Sequence, residues 1–381
     1  MSTQPTRSYL EELGNQSVPV ATEIAGRFKP TVHPNPTPLE AKIKILKDLK
    51  FGQMFSDYMA RAVWTPETGW TQKVIQPYGP IQLSPAAAVL HYGQEVFEGL
   101  KAYRHADGSI WSFRPGFNAA RFNASARRMA MPELPVEDFL SSIIDTVRAD
   151  PTWVPETNGS SLYLRPFMFA SEAFLGVHSA KEITYLMIAS PVGPYFASGL
   201  KPVKIWVSTE YHRAAPGGTG AAKTAGNYAA SLLPQQEAAS RGYDQVCYLD
   251  VIENRFLEEL GGMNVFAVRN DGSILTPAVT GTILEGGTRS SIITLLHDSG
   301  REVFETQIAV DDLVKWIQTG EVTEMFACGT AAVVTPIGEL GGENFKARPK
   351  GGEVTQWIYD ELTGIQNGTR PDKYGWLYRL V

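Results

Sequence analysis

The sequence predicts a two-domain chain that mixes strands and helices, an α+β unit followed by one closer to α/β. Three observations carry this reading. The 381 residues exceed what one ordinary core serves. Segments with strand alternation and segments with helical spacing interleave along the chain. A stretch rich in Pro and Gly, "SPVGPYFASGLKP", separates two strand-like runs. The expected boundaries are an irregular N-terminal extension at 1–35, a smaller α+β domain at 36–190, a linker at 191–202 and a larger domain at 203–381.

The elements follow in order. "FKPTVHPNPTPLE" closes the extension and is rich in Pro and Thr. After the turn signal Asp107-Gly108, "SIWSFRP" reads as a strand, as do "SLYLRPFMFA" and "ITYLMIAS". "FNAARFNASARRMA" and "VEDFLSSIIDTVRAD" have helical spacing between them. Beyond the linker come strand "VKIWVST", a glycine-rich loop, and a helical "NYAASLLPQQEAASRG" that Pro234 kinks or restarts and Gly242 stops. Strand "QVCYLD" and a hairpin across Asn270-Asp271-Gly272 are next. "TRSSIITLLHDSG" and "VDDLVKWIQTG" read as helices, and "VTEMFACGTAAVVTP" as strand-like.

Composition narrows the function. Hydrophobic residues at 43% and charged residues at 19% mark a folded chain, and a net charge of -6 with scattered Lys and Arg offers nucleic acid or an anionic membrane no basic patch. Small molecules are the expected partners. Cys247 and Cys328 sit in apolar runs, as buried thiols of a reducing compartment do, and the six histidines lack metal-ligand spacing. Without a membrane-length apolar run or a leader-like start, the expected location is cytoplasmic.

One loop concentrates the chemistry. "PGGTGAAKTAGNYAAS" surrounds Lys223 with Gly, Ala, Ser and Thr. It misses the phosphate-loop pattern by one position, Ala222 standing where that pattern needs Gly, although "QVCYLD" downstream imitates a magnesium-holding strand. A covalent cofactor lysine is the other reading, since a planar cofactor such as pyridoxal phosphate needs small neighbours, an acid for its ring nitrogen and a donor for its ring hydroxyl. Tyr228 is within reach in sequence for the last role.

Together, "GGTGAAKTAGNYAASL", "EELGGMNVF", "TRSSI" and "FACGTAAVVTP" resemble the branched-chain amino-acid aminotransferases, fold-type IV pyridoxal phosphate enzymes, from about Phe51 to "LTGIQNG". The resemblance implies that 203–381 is the cofactor-binding domain, Lys223 the Schiff-base and proton-transfer lysine, and Tyr228 the partner of the ring hydroxyl. It makes Glu259 the acid on the pyridine nitrogen, with Glu258 placed on the opposite face by strand alternation. Arg121, Gly287, Thr288 and Thr330 map to the phosphate pocket. Phe55, Tyr92, Phe97, Tyr163, Arg165 and Tyr195, with Thr330 and Ala331, map to the substrate pocket, and Arg165 is the candidate for the side-chain carboxylate of glutamate.

The implied reaction is transamination of leucine, isoleucine or valine with 2-oxoglutarate in a homodimer whose sites are completed across the interface. Related outcomes are a D-amino-acid aminotransferase or an aminodeoxychorismate lyase, against which "VFEG" and "LYLRP" weigh. Two departures stand out. Gly287 replaces an aliphatic residue before Thr288, which implies a looser loop, and Gly262 stands where some relatives have threonine. The C-x-x-C that some animal members carry after "GTA" is absent, so no thiol regulation of that kind is expected.

Overall fold

The structure is a computed structural model that describes residues 18–157, 159–194 and 200–381. Two compact units emerge. The first comprises Met1–Tyr195, Ala222–Ala225 and Gly364–Val381, the second Phe196–Ala221 and Gly226–Thr363.

The first unit is built on a nine-stranded sheet, antiparallel but for its first pair. Its centre is Ser161–Ala170, paired along its whole length with Ile183–Val192 and, on the other side, with Leu100–Arg104 and Glu95–Phe97. Ser161–Ala170 is buried but for half-buried Arg165 and Phe167, so "SLYLRPFMFA" carries no simple alternation of apolar and polar residues. Helices Pro115–Arg128 and Val136–Ala149 supply Phe122 and Phe139 to the core around Tyr185. Pro115 opens the first of these, where the missing N–H costs nothing. Glu137 and Asp138 in the first turn of the second suit its dipole.

Both chain ends join this sheet, and here the structure departs from the expected boundaries. Of the supposed extension, Lys29–Pro30 pairs in parallel with Val74–Ile75, and Phe28 is wholly buried. Asp145 accepts the N–H groups of Gly26 and Phe28 at 2.7 and 3.1 Å, which ties the segment down. At the other end Leu377–Arg379 pairs with the Ile110–Phe113 edge and Leu380 enters the core, so the last residues do not belong with the second unit. The first unit, expected to be the smaller, therefore takes more of the chain. The expected linker begins inside a strand that runs on to Val192, and residues 195–199 of it, Tyr195 included, lie outside the described residues.

The second unit holds a mixed nine-stranded sheet in which Val203–Ser208 lies between Gln245–Leu249 and Val333–Gly341, parallel to both. The Asn270 hairpin is present, with Gly272 at φ +86° donating to Arg269 O. Two helices replace the single one around Pro234: Ala225–Ala229, then Leu232–Ser240 with the proline in its first turn. "VTEMFACGTAAVVTP" is two antiparallel strands, and Gly329 pairs with Val333 so that Thr330, Ala331 and Ala332 form the turn. Among the described residues no helix is long and apolar enough to cross a membrane.

Candidate active site

Lys223 is fixed through its backbone. Its N–H donates to Ser125 Oγ at 2.9 Å, its carbonyl accepts from Phe97 N–H at 3.0 Å, and the next hydroxyl, Thr224 Oγ1, donates to Glu95 O at 2.7 Å. Those bonds join the tetrapeptide Ala222–Ala225 to strand Glu95–Phe97 and helix Pro115–Arg128 of the first unit. The ammonium lies 4.7 Å from the centroid of the Phe97 ring. A phosphate loop would need that N–H and that hydroxyl for phosphate and magnesium, and both are committed elsewhere. Asp250, the supposed magnesium ligand, instead accepts four backbone N–H groups of the turn at 252–256, which outweigh its burial and lower its pKa.

Around Lys223 the first unit gathers several of the expected residues. Arg165 Nη2 donates to Tyr163 Oη at 2.8 Å, as their shared strand face requires, and the guanidinium lies 4.7 Å from the Phe97 ring centroid. Gly99 is obligatory there, because a Cβ would collide with the Tyr163 hydroxyl. Burial raises the pKa of neighbouring Glu95 against the opposing charge of Arg165. Arg121, buried on helix Pro115–Arg128, grips Glu98 through Nε at 2.6 Å and Nη2 at 2.8 Å. Phe55 and Tyr92 keep other company: Phe55 stacks on Tyr78 at 4.9 Å, and Tyr92, 42% exposed, donates to Leu175 O.

In the second unit the two candidate acids separate as alternation predicts. Glu259 accepts Leu284 N–H at 2.7 Å and meets Arg213 Nη1 at 2.8 Å. Glu258 accepts from Thr282 Oγ1 at 2.5 Å, while its Oε2 is buried without a partner. Burial raises the pKa of Glu258, against the Thr282 hydrogen bond and the Arg213 charge. Arg213 also donates to Gly220 O and Thr282 O, at 3.2 and 2.9 Å, and so holds the glycine-rich loop to the 282 loop. Gly220 must lack a side chain, since a Cβ would collide with Thr282 O. Tyr228 stands on the short helix after the lysine, 3.6 Å from where a Cβ on Gly262 would lie, so a larger residue at 262 would pack on the ring.

Helix Gly287–Asp298 begins with Gly287 and Thr288 and has no side-chain cap. Gly287 is helical, and its carbonyl accepts from Ser291 Oγ at 3.0 Å, so the stretch is set rather than loose. The stringent glycine is Gly286, where a Cβ would collide with Asn264 Oδ1. Thr330 and Ala331 sit half-buried at the tip of their hairpin turn.

Each unit by itself carries groups that suit pyridoxal phosphate: in the second, an uncapped helix start suits a phosphate and a buried carboxylate paired with arginine suits a pyridinium; in the first, a buried arginine suits a phosphate. Sequence reasoning passed over Glu98, Asn118, Ser125 and Arg213. Only Glu98 left a signal, as a second acid three residues after Glu95 in the mostly apolar "EVFEGLKAY".

Comparison with known proteins is consistent across the chain. The family pattern described as amino-transferase class IV matches residues 95–340. The branched-chain-amino-acid aminotransferase of Mycolicibacterium smegmatis is 51% identical over 360 residues, 93% of this chain and 98% of that one. Among solved structures, the Escherichia coli branched-chain amino acid aminotransferase shares 29% identity at a TM-score of 0.70, covering 84% of this chain and 100% of its own. A T.th. branched-chain amino acid aminotransferase, complexed with N-(5'-phosphopyridoxyl)-L-glutamate, shares 28% identity at a TM-score of 0.68, covering 84% and 99%.

Proposed function

Because the chain belongs to the class IV aminotransferases, among their branched-chain amino-acid aminotransferases, we propose that it moves an amino group between leucine, isoleucine or valine and 2-oxoglutarate with pyridoxal 5'-phosphate. Its two-sheet fold is that of the fold-type IV enzymes of this family. The observation that carries the assignment of the site is Lys223, held by its backbone at both ends of the peptide unit with its ammonium beside an aromatic wall.

The cofactor, when bound, supplies an aldehyde to carry the amino group and a ring that withdraws electrons from the substrate Cα. Lys223 Nζ would hold the aldehyde carbon covalently, its oxygen leaving as water, and once displaced there by the substrate amine would move the proton from the substrate Cα. Glu259, paired with Arg213 and Leu284 N–H, would hold the proton on the pyridine nitrogen. Tyr228 donates to the ring hydroxyl. Arg121, Thr288 with Gly287 at the helix start, and Thr330 bind the phosphate. Phe97 and Tyr163 line the apolar side-chain pocket together with Phe55, Tyr92 and Tyr195. The turn amides of Thr330 and Ala331 take the α-carboxylate, and Arg165 meets the second carboxylate of glutamate. That the T.th. relative was obtained with a phosphopyridoxyl-glutamate supports the pairing of an apolar and an acidic substrate.

A homodimer is part of the proposal, supported by exposed Leu175, whose carbonyl accepts from Tyr92, and by exposed Val177 two residues on. A cytoplasmic location is supported by Cys247 and Cys328, free thiols that burial pushes up to about 12 in pKa. The test is Lys223→Ala with an amino-donor screen against 2-oxoglutarate. Borohydride should fix cofactor to Lys223 in the wild type, and the variant should lose turnover by at least ~10³-fold. Fixation at another lysine would remove Lys223 from its role, and preference for D-amino acids would redirect the substrate assignment.

A further inference from the structure

Glu98 is a carboxylate of the first-unit cluster that the proposed reaction leaves without a task. It is wholly buried, directly after Phe97, and it is densely held. Arg121 reaches Oε1 through Nε at 2.6 Å and Oε2 through Nη2 at 2.8 Å. Asn118, one helical turn before Arg121, donates Nδ2–H to Oε2 at 2.7 Å, and Gly99 N–H reaches the same oxygen at 3.1 Å. Burial alone would raise the pKa of Glu98, but the charge and hydrogen bonds of Arg121, the charge of Lys223 and the Asn118 amide outweigh it and hold the carboxyl below its ordinary value.

An isolated core that needed only packing would be served as well by apolar residues, since a buried ion pair is weak evidence for stability. What a buried carboxylate does uniquely is fix a planar guanidinium in one orientation and keep a negative charge beside a lysine. Resting on the function proposed above, we infer that Glu98 is a positioning residue that locks the Arg121 fork in the orientation that receives the cofactor phosphate. Asn118 orients Glu98 in turn. Because Phe97 N–H binds Lys223 O, the same short segment sets both the lysine and the arginine.

The experiment uses full-length protein stripped of cofactor and titrated with pyridoxal phosphate and, separately, with pyridoxal. The ratio of the two dissociation constants isolates the phosphate contact from the covalent bond to Lys223. Glu98→Gln keeps the shape and removes the charge, and should weaken pyridoxal phosphate about tenfold or more while pyridoxal changes less than about twofold. Arg121→Lys, which loses the fork, should weaken the same ligand, and adding Glu98→Gln to it should have no further effect, as expected of two residues acting as one. Asn118→Leu gives a smaller loss of the same selectivity and serves if Glu98→Gln does not fold.

Equal losses for both ligands, no loss, or tighter pyridoxal phosphate binding in Glu98→Gln would overturn the inference, as would additive losses in the double variant. Wild-type protein that bound pyridoxal and pyridoxal phosphate alike would overturn the inference while leaving the covalent lysine in place. Failure of borohydride to fix either ligand at Lys223 would instead overturn the proposed function, and the positioning role with it.

Discussion

In the proposed function Arg165 serves a pocket that takes both leucine and glutamate. Its guanidinium lies over the Phe97 ring and donates to the Tyr163 hydroxyl, so an apolar substrate need not desolvate it anew. Glutamate offers it a carboxylate, a contact worth about 1.5 to 3 kcal/mol. Arg165→Ala should therefore slow the glutamate and 2-oxoglutarate half-reaction roughly 10- to 150-fold and the leucine half-reaction much less, measured separately by stopped-flow absorbance. Parallel losses with a fall in melting temperature would make Arg165 a structural residue. The shared face of Tyr163 and Arg165 and the different partners of Glu258 and Glu259 were legible in the sequence because strand alternation acts locally. Glu98 and Arg213 were not, because each takes its meaning from burial and from an ion-pair partner, Arg121 or Glu259, that only the fold brings close.

Regular elements were legible where a period of 3.6 ran long enough, as in Pro115–Arg128, or where strand-forming residues ran together, as in Ser161–Ala170. The edges were not. Lys29–Pro30 and Leu377–Arg379 are too short to show a period, and they form because open strand edges beside them need partners. What anchors the first of these is Asp145, which also accepts from Ser141 Oγ at 2.7 Å. Asp145→Ala would strip acceptors from the N–H groups of Gly26 and Phe28 and from that hydroxyl, within a core that includes Phe28. We expect a loss of about 2 to 4 kcal/mol in unfolding free energy. Urea titration should show it, with residues 18–30 becoming protease-sensitive first. An unchanged midpoint would mean that the segment contributes nothing to the first unit.

For the whole molecule the informative surface lies on the first unit, where Leu175 and Val177 are 66% and 89% exposed and the Tyr92 hydroxyl donates to the Leu175 carbonyl. A scattered exposed leucine needs no explanation, whereas one that accepts from a tyrosine expected to touch substrate does. In a twofold-symmetric pair this patch is buried twice, once from each subunit, so a single substitution counts twice. Burying one such side chain is worth about 1.5 to 3 kcal/mol, and Leu175→Asp would also place a carboxylate there. The dimer should therefore weaken by about 3 to 6 kcal/mol, a factor of roughly 10² to 10⁴ in its dissociation constant. Sedimentation should show monomer at concentrations where the wild type is paired. Because Tyr92 bonds to the Leu175 carbonyl, exposing one disturbs the other, and specific activity should fall on dilution in step with dissociation. A wild type that is monomeric and fully active at assay concentration would remove the interface from the proposed function and leave this patch to some other partner.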